Sequence, residues 1–137
     1  MPDAALAHFV DVAKSFAHPA RLRILAMLRD GDLCVCQVTA ILGLAASTVS
    51  GHLADLRRSG VLTERKEGRW VHYELTSQPP LARLIDDLLA AVEDDPQISD
   101  DRQLVQALRQ VPNEVLCRAG LDLEAVGVRP VTVRGDS

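Results

Sequence analysis

Apolar residues recur along most of this chain at helical spacing and alternate in only one stretch. Leu6, Phe9, Val10, Ala13 and Phe16 repeat at three- and four-residue intervals, which predicts a helix over 3–16. His18-Pro19 interrupts it, and Pro19 suits the first position of the next helix, over about 19–29. That helix carries Leu22, Ile24, Leu25 and Leu28 and ends at Gly31. Val38, Ile41 and Leu42 predict a short third helix stopped by Gly43, with Leu44-Ala45-Ala46 as a turn. Ser47 is a good N-cap for a fourth helix, which presents Val49, Leu53 and Leu56 on one face and ends at Ser59-Gly60. Alternation follows in Val61-Leu62-Thr63 and again from Trp70 to Leu75, around the charged, glycine-containing tip 64–69, and predicts a β-hairpin. A further apolar stripe, Leu81, Leu84, Ile85, Leu88, Leu89 and Val92, marks a helix over about 80–93. A helix-like segment covers about 101–119, and 121–137 has no clear periodicity and is expected to be loosely ordered.

A short helix, a glycine turn and a second helix with Ser, Thr, His and Arg outward make a helix-turn-helix pattern. A hairpin directly behind it makes a wing, although a hairpin of this kind can also be a merely solvated one. The expected fold is mainly α with a β-hairpin (α+β), a winged helix-turn-helix. It divides into residues 1–98 for DNA binding and dimerisation, 99–120 as a helical extension, and 121–137 as a tail. The stripe over 80–93 is wider than a lone surface helix needs, so a second subunit is expected to cover it.

Composition narrows the class. Aromatics are only 3% of 137 residues while hydrophobic residues are 47%, so the core is built of Leu, Val, Ile and Ala. No apolar run approaches the roughly 20 residues of a membrane span, and the N-terminus lacks a signal-peptide pattern. The expected location is the cytoplasm, with no membrane partner. The net charge of −4 is uneven: residues 1–75 hold 9 Lys+Arg against 8 Asp+Glu, and residues 76–137 hold 6 against 11. A DNA binder needs a local basic face rather than a basic protein. Here Arg57, Arg58, Arg65, Lys66 and Arg69 gather around the hairpin. Ser47, Thr48, Ser50 and His52 on the fourth helix, with Arg57, Arg65, Lys66 and Arg69, are the candidate DNA contacts. No phosphate-cradling glycine loop, metal-plus-base motif or Ser-His-acid constellation suggests an enzyme.

The remaining chemistry is sulfur. Cys34 and Cys36 lead into the helix-turn-helix, and Cys117 stands near the end of the extension. Two positions apart on a regular strand, the first two thiols would face opposite ways. They converge only if the backbone leaves the strand there, as it must to enter the third helix. The dipole at that helix N-terminus is expected to lower a thiol pKa. The plain alternative is that a cysteine is a small buried hydrophobe. A redox sensor is another reading. A Cys34–Cys36 bridge would be strained, so it would use Cys36–Cys117 or an intersubunit pair.

Residues 16–75 resemble the arsenical-resistance repressor family (ArsR/SmtB). The resemblance rests on Phe16-Ala17-His18-Pro19-Ala20-Arg21-Leu22-Arg23-Ile24-Leu25, Leu33-Cys34-Val35-Cys36, Ser47-Thr48-Val49-Ser50 with His52-Leu53, and Gly68-Arg69-Trp70-Val71-His72-Tyr73. It implies a homodimer built on the first helix and the helix after the wing. It also implies repression at operator DNA, and release when a toxic metal or metalloid binds. Thr39 stands where arsenite-sensing members often carry a third cysteine, and Gly51 where the recognition helix usually carries Arg or Lys. Residues 80–95 hold Asp86, Asp87, Glu93, Asp94 and Asp95 but no His, unlike the zinc-sensing branch. His18 and His52 fit scaffold positions of the family. Soft thiolates select soft ions, so the expected inducer is As(III), or Sb(III), held by Cys34, Cys36 and Cys117. No cofactor is expected to be permanently bound. Cadmium or mercury on the same fold, or a thiol redox sensor, is the alternative.

Overall fold

The structure, a computed structural model, describes residues 2–128, with side chains from residue 5 onward. The order is α1 (Pro2–Phe16), α2 (Pro19–Met27), β1 (Leu33–Cys34), α3 (Val35–Leu42), α4 (Ala46–Arg58), β2 (Leu62–Glu67), β3 (Trp70–Leu75), α5 (Leu81–Val92), α6 (Pro96–Leu108) and α7 (Asn113–Arg118). The helices predicted over 3–16, 19–29 and 80–93 and the hairpin all form, within a residue or two of the expected limits.

His18 caps α2 by accepting the Ala20 N–H on Nδ1 at 3.0 Å, and Pro19 occupies the first helical turn. α3 ends at Gly43, whose φ of +68° is the left-handed conformation that lets the chain turn sharply out of a helix. Across that break α3 and α4 are bent by 118°, the crossing of a helix-turn-helix pair. The first cap of α4 is a correction: Ala45 is the N-cap, without a side-chain bond, and Ser47 lies inside the first turn. Val49, Leu53 and Leu56 are buried as expected. β2 and β3 pair antiparallel from Leu62↔Leu75 to Glu67↔Trp70. The sheet order is β1-β3-β2, with Leu33↔Tyr73 and Cys34↔His72 joining the short first strand to the wing.

The core runs through α2, α3, α4 and α5 and includes Ile24, Leu25, Leu33, Val38, Val49, Leu53, Ile85 and Leu89. On α1 the expected stripe divides: Phe9 and Phe16 are partly buried against this core, and Leu6 and Val10 face away from it. Val12 is buried, while Leu6 is 74% exposed and Val10 44%. Leu84 of α5 is also exposed.

The C-terminal segment departs most from expectation. The single helix expected over 101–119 is two helices. α6 starts earlier, capped by Asp95 accepting the Gln97 N–H at 2.8 Å. Pro112, with no N–H to continue a helix, separates it from α7. Position 98 therefore falls inside α6 rather than at a boundary. Residues 121–128, expected to be loose, form turns that bury Leu123, with the Val128 N–H bonded to the Leu123 carbonyl at 2.9 Å. The rest of the expected tail, 129–137, lies outside the described residues.

A buried ion pair adds to the burial of Leu104, Val105 and Leu108 in holding this extension on the core. Asp101 is fully buried and accepts Arg23 Nε at 2.7 Å and Nη2 at 3.0 Å, a two-pronged contact between α6 and α2. Gln97 Nε2 donates to the same carboxylate at 3.0 Å. Removing the cation strands a buried charge. Arg23→Met is expected to destabilise the protein by about 3 kcal/mol. Arg23→Met with Asp101→Leu should recover most of that loss, read by urea unfolding of both variants against the parent.

Candidate functional site

Cys34 is the last residue of β1 and the N-cap of α3 at once. Its backbone N–H donates to Gln37 Oε1 at 2.9 Å. Its sulfur faces the N–H groups of Cys36 and Gln37. This is the reciprocal arrangement of a capping box, with a thiol in the place usually taken by Ser or Thr. Cys34 is 1% exposed. The backbone leaves the strand at this residue, so the next thiol is not thrown to the far side of a sheet.

Cys36 lies in the first turn of α3 and meets Cys117 of α7, Sγ to Sγ 3.3 Å. Cys36 is half-buried and Cys117 exposed. α7 is placed by Leu116, 1% exposed, and packs on α3. Burying a leucine contributes about 2 kcal/mol toward holding this six-residue helix on α3. Thr39 does not approach the thiols as a donor; its Oγ1 bonds back to the Val35 carbonyl at 2.7 Å. Among the described residues no three His, Cys, Asp or Glu side chains stand together as a ready metal site. The closest thiol contact is the Cys36–Cys117 pair, and Cys34, engaged in capping, also interacts with Cys36.

The expectation of a lowered thiol pKa is corrected for Cys34 and Cys36. Burial pushes Cys34 up, against the lowering effect of the Gln37 and Cys36 N–H groups. Cys36 is pushed up to about 12, first by burial and then by its hydrogen bond to Cys117 and the neighbouring Cys34. Desolvation of a thiolate outweighs a few N–H dipoles when no cation is near.

Asp32, two residues before Cys34, ties this loop to the wing. Its carboxylate accepts Arg65 Nη2 at 2.8 Å. Burial pushes the Asp32 carboxyl up, but this contact with the Arg65 guanidinium, helped by His72, holds it below its ordinary pKa. His72 Nδ1 stands 3.1 Å from an Asp32 oxygen but off the hydrogen-bond line, leaving that buried nitrogen unbonded among the described residues. The Asp32 carbonyl accepts Arg109 Nη1, from just beyond α6, at 3.0 Å. Asp32, Gln37 and Arg109 had no place in the sequence reading. Only Gln37 carried a legible signal, three residues after the cap.

The helix-turn-helix face is mixed. Ser47, Thr48 and Ser50 are exposed at the start of α4. His52 is turned inward: its Nδ1 accepts Arg21 Nε at 3.0 Å and its ring lies 4.5 Å from that of His18. Burial, then His18 and Arg21, lower its pKa. Arg57 pairs with Glu64 at 2.8 Å, Arg58 with Asp55, and Arg65 with Asp32. Lys66 and Arg69 form no ion pair among the described residues, and Arg69 lies over the Trp70 ring at 5.2 Å. Gly51 is exposed, and a Cβ built there meets nothing within 4 Å.

An outward α4 after a bent turn, with a basic hairpin behind it, defines the class as a winged helix-turn-helix DNA-binding protein. Residues 18–64 match the family described as bacterial regulatory protein, arsR family. The chain is 41% identical over 81 residues to the arsenical resistance operon repressor of Escherichia coli, covering 57% of this chain and 69% of that protein. It is 40% identical over 84 residues to the arsenic resistance transcriptional regulator ArsR1 of Pseudomonas putida, covering 61% and 64%. The match thus spans about two thirds of each relative's length. Among solved structures, the homodimeric winged helix-turn-helix DNA-binding domain Mb0332 of Mycobacterium bovis superposes with TM-score 0.60 at 27% identity, over 68% of this chain and 85% of that one. The chain belongs to the arsR family of bacterial regulatory proteins. That family and these relatives are DNA-binding transcriptional regulators, not enzymes. Cys34 and Cys36 lie inside the matched residues; Cys117 lies beyond them.

Because the folded protein holds Cys36 as the neutral thiol, that preference stabilises the fold fully below the ordinary thiol pKa of about 8.5. It is lost as pH rises toward about 12. Melting temperature is expected to fall over that window in the parent and to fall less in Cys36→Ser. At pH near 8, alkylation should reach the exposed Cys117 first and Cys36, half-buried and with its pKa pushed up, far more slowly. Equal rates at the two thiols would refute the burial argument.

Proposed function

We propose that this protein is a homodimeric transcriptional repressor that binds operator DNA and releases it when trivalent arsenic, or antimony, is held by its cysteine thiolates. One observation carries the metalloid part of the reading. The Cys36–Cys117 pair sits at the first turn of α3, with Cys34 capping that same turn. The donor chemistry fits: every candidate ligand is a sulfur, and trivalent arsenic favours three of them. Two are already in contact, and the third is two residues away. The arsenic-resistance names of the two relatives point the same way.

The protein's own residues supply the coupling. Bringing the Cys34 sulfur to the pair takes it off the N–H groups at the start of α3 and loosens that turn. The Cys34 backbone is also paired with His72 of the wing strand β3. Two residues earlier, Asp32 grips Arg65 on β2. Displacing Cys34 therefore moves α3 under the recognition helix and the wing together. By reciprocity, DNA must weaken inducer binding by the same factor. On the DNA side, Ser47, Thr48 and Ser50 reach the groove, and Lys66 and Arg69 reach phosphates. Arg57 and Arg65 must first leave or share their carboxylates, and His52 acts by holding α4 against α2. The exposed Leu6, Val10 and Leu84 on α1 and α5 are the proposed dimer face.

Cys34→Ser and Cys36→Ser should bind operator DNA within about threefold of the parent and no longer release it with arsenite. Cys117→Ser should keep DNA binding and respond weakly, with X-ray absorption of the loaded protein showing two sulfurs per arsenic instead of three. Wild-type release by both Cys34→Ser and Cys36→Ser would remove these thiols from the site. Lys66→Ala and Arg69→Ala should each weaken binding to all sequences and flatten the salt dependence by roughly one phosphate contact, about 0.9 in log–log slope. Unchanged slopes would refute the wing contact.

A further inference from the structure

We propose that Cys36 and Cys117 form a reversible intramolecular disulfide, making this thiol pair a site of oxidation by hydroperoxides. The sulfurs already touch at 3.3 Å, although 81 residues separate them in sequence. Bond formation shortens that contact to about 2.05 Å, and buried Leu116 keeps α7 packed beside α3. Cys34 is the poorer partner for either thiol. It is buried, its sulfur faces the N–H groups it caps, and a bridge to Cys36 would span only two positions on a turn.

The chemistry closes with one equivalent of hydrogen peroxide. Cys117, the exposed thiol, is reached first. Its thiolate attacks one peroxide oxygen; an S–O bond forms, the O–O bond breaks, and the departing hydroxide takes up a proton as water. Cys117 is now a sulfenic acid, oxidised by two electrons. The Cys36 sulfur, giving up its proton, attacks the Cys117 sulfur. The S–S bond forms as the S–O bond breaks, and a second water leaves. Two thiols and one peroxide become one disulfide and two waters, and a dithiol reductant reverses it.

The bridge ties α7 to the first turn of α3 and closes a long loop of chain, which raises stability. It leaves Cys34 as the one free thiol. The oxidation itself stands apart from the metalloid reading. Its consequence, that an oxidised protein stays on DNA and ignores arsenite, rests on that reading.

The full-length reduced protein is titrated with hydrogen peroxide, its remaining thiols are alkylated under denaturing conditions, and its peptides are mapped by mass. The expected product is a Cys36–Cys117 link with Cys34 alkylated and no covalent dimer. Dithiothreitol should reverse it completely, and the oxidised form should melt higher by roughly 5 °C or more. Cys34→Ser should form the same link, and Cys36→Ser should leave a Cys117 sulfenic acid that dimedone traps. A Cys34–Cys36 or intersubunit bridge, or a Cys117 sulfinic acid with Cys36 still free, would overturn the proposal. A clean link in a protein whose reduced form does not answer arsenite would sink the metalloid reading alone. Arsenite release without any link would sink this one alone.

Discussion

Cys34 serves two backbones at once, and the rest of the site depends on that. Its peptide groups close the β1–β3 ladder against His72, and its side chain and N–H close the first turn of α3 with Gln37. A strand that ran one residue further would send Cys36 to the opposite face. A helix that began one residue earlier would break the pairing with the wing. The position is over-determined by a ladder on one side and a cap on the other. A residue held that way transmits displacement in both directions, because neither set of bonds can be kept if it moves.

The second constraint comes from outside the family-matched residues. α6 is fastened to α2 by the buried Asp101–Arg23 pair, and Arg109 then reaches back to the Asp32 carbonyl. Pro112 turns the chain into α7, and Leu116 sets that helix against α3. Each step is an ordinary packing or charge interaction. Together they carry a cysteine from the far end of the chain to within contact of Cys36. A thiol site that lacks a cysteine at Thr39 is in this way supplied with a second sulfur from another element.

Local chemistry was legible in the sequence and tertiary partnership was not. Apolar spacing, Pro19, Gly43 and the alternation of Trp70 to Leu75 marked helices, turn and hairpin because each is a short-range rule. The break at Pro112 and the start at Asp95-Pro96 are equally short-range signals, and the single helix expected over 101–119 took neither into account. The inward turn of His52 was not legible, since Arg21, which donates to it, is 31 residues away. The outward face of α1 was not legible either. Periodicity shows that Leu6 and Val10 share a stripe, but not whether the same chain or a second one covers it. The thiol pKa was misjudged because a helix N-terminus is visible in sequence and desolvation is not.

The charge on the DNA-facing side has a consequence for specificity. Arg57, Arg58 and Arg65 each face a carboxylate of the same chain. A cation that must leave an internal partner gains less from a phosphate than one held only by water, so generic attraction to DNA is reduced. Gly51, exposed and without a side chain, removes another contact that would serve any sequence. On the proposed reading, what remains is Lys66 and Arg69 for phosphates and the short hydroxyls of Ser47, Thr48 and Ser50, whose bonds are worth having only when the groove presents matching groups at the right depth. On that reading, such a face would discriminate more by fit than a face of unpaired cations does. Under the proposed function, its hold on DNA would depend on the angle at which α3 supports α4, and Cys34 caps the turn from which α3 starts.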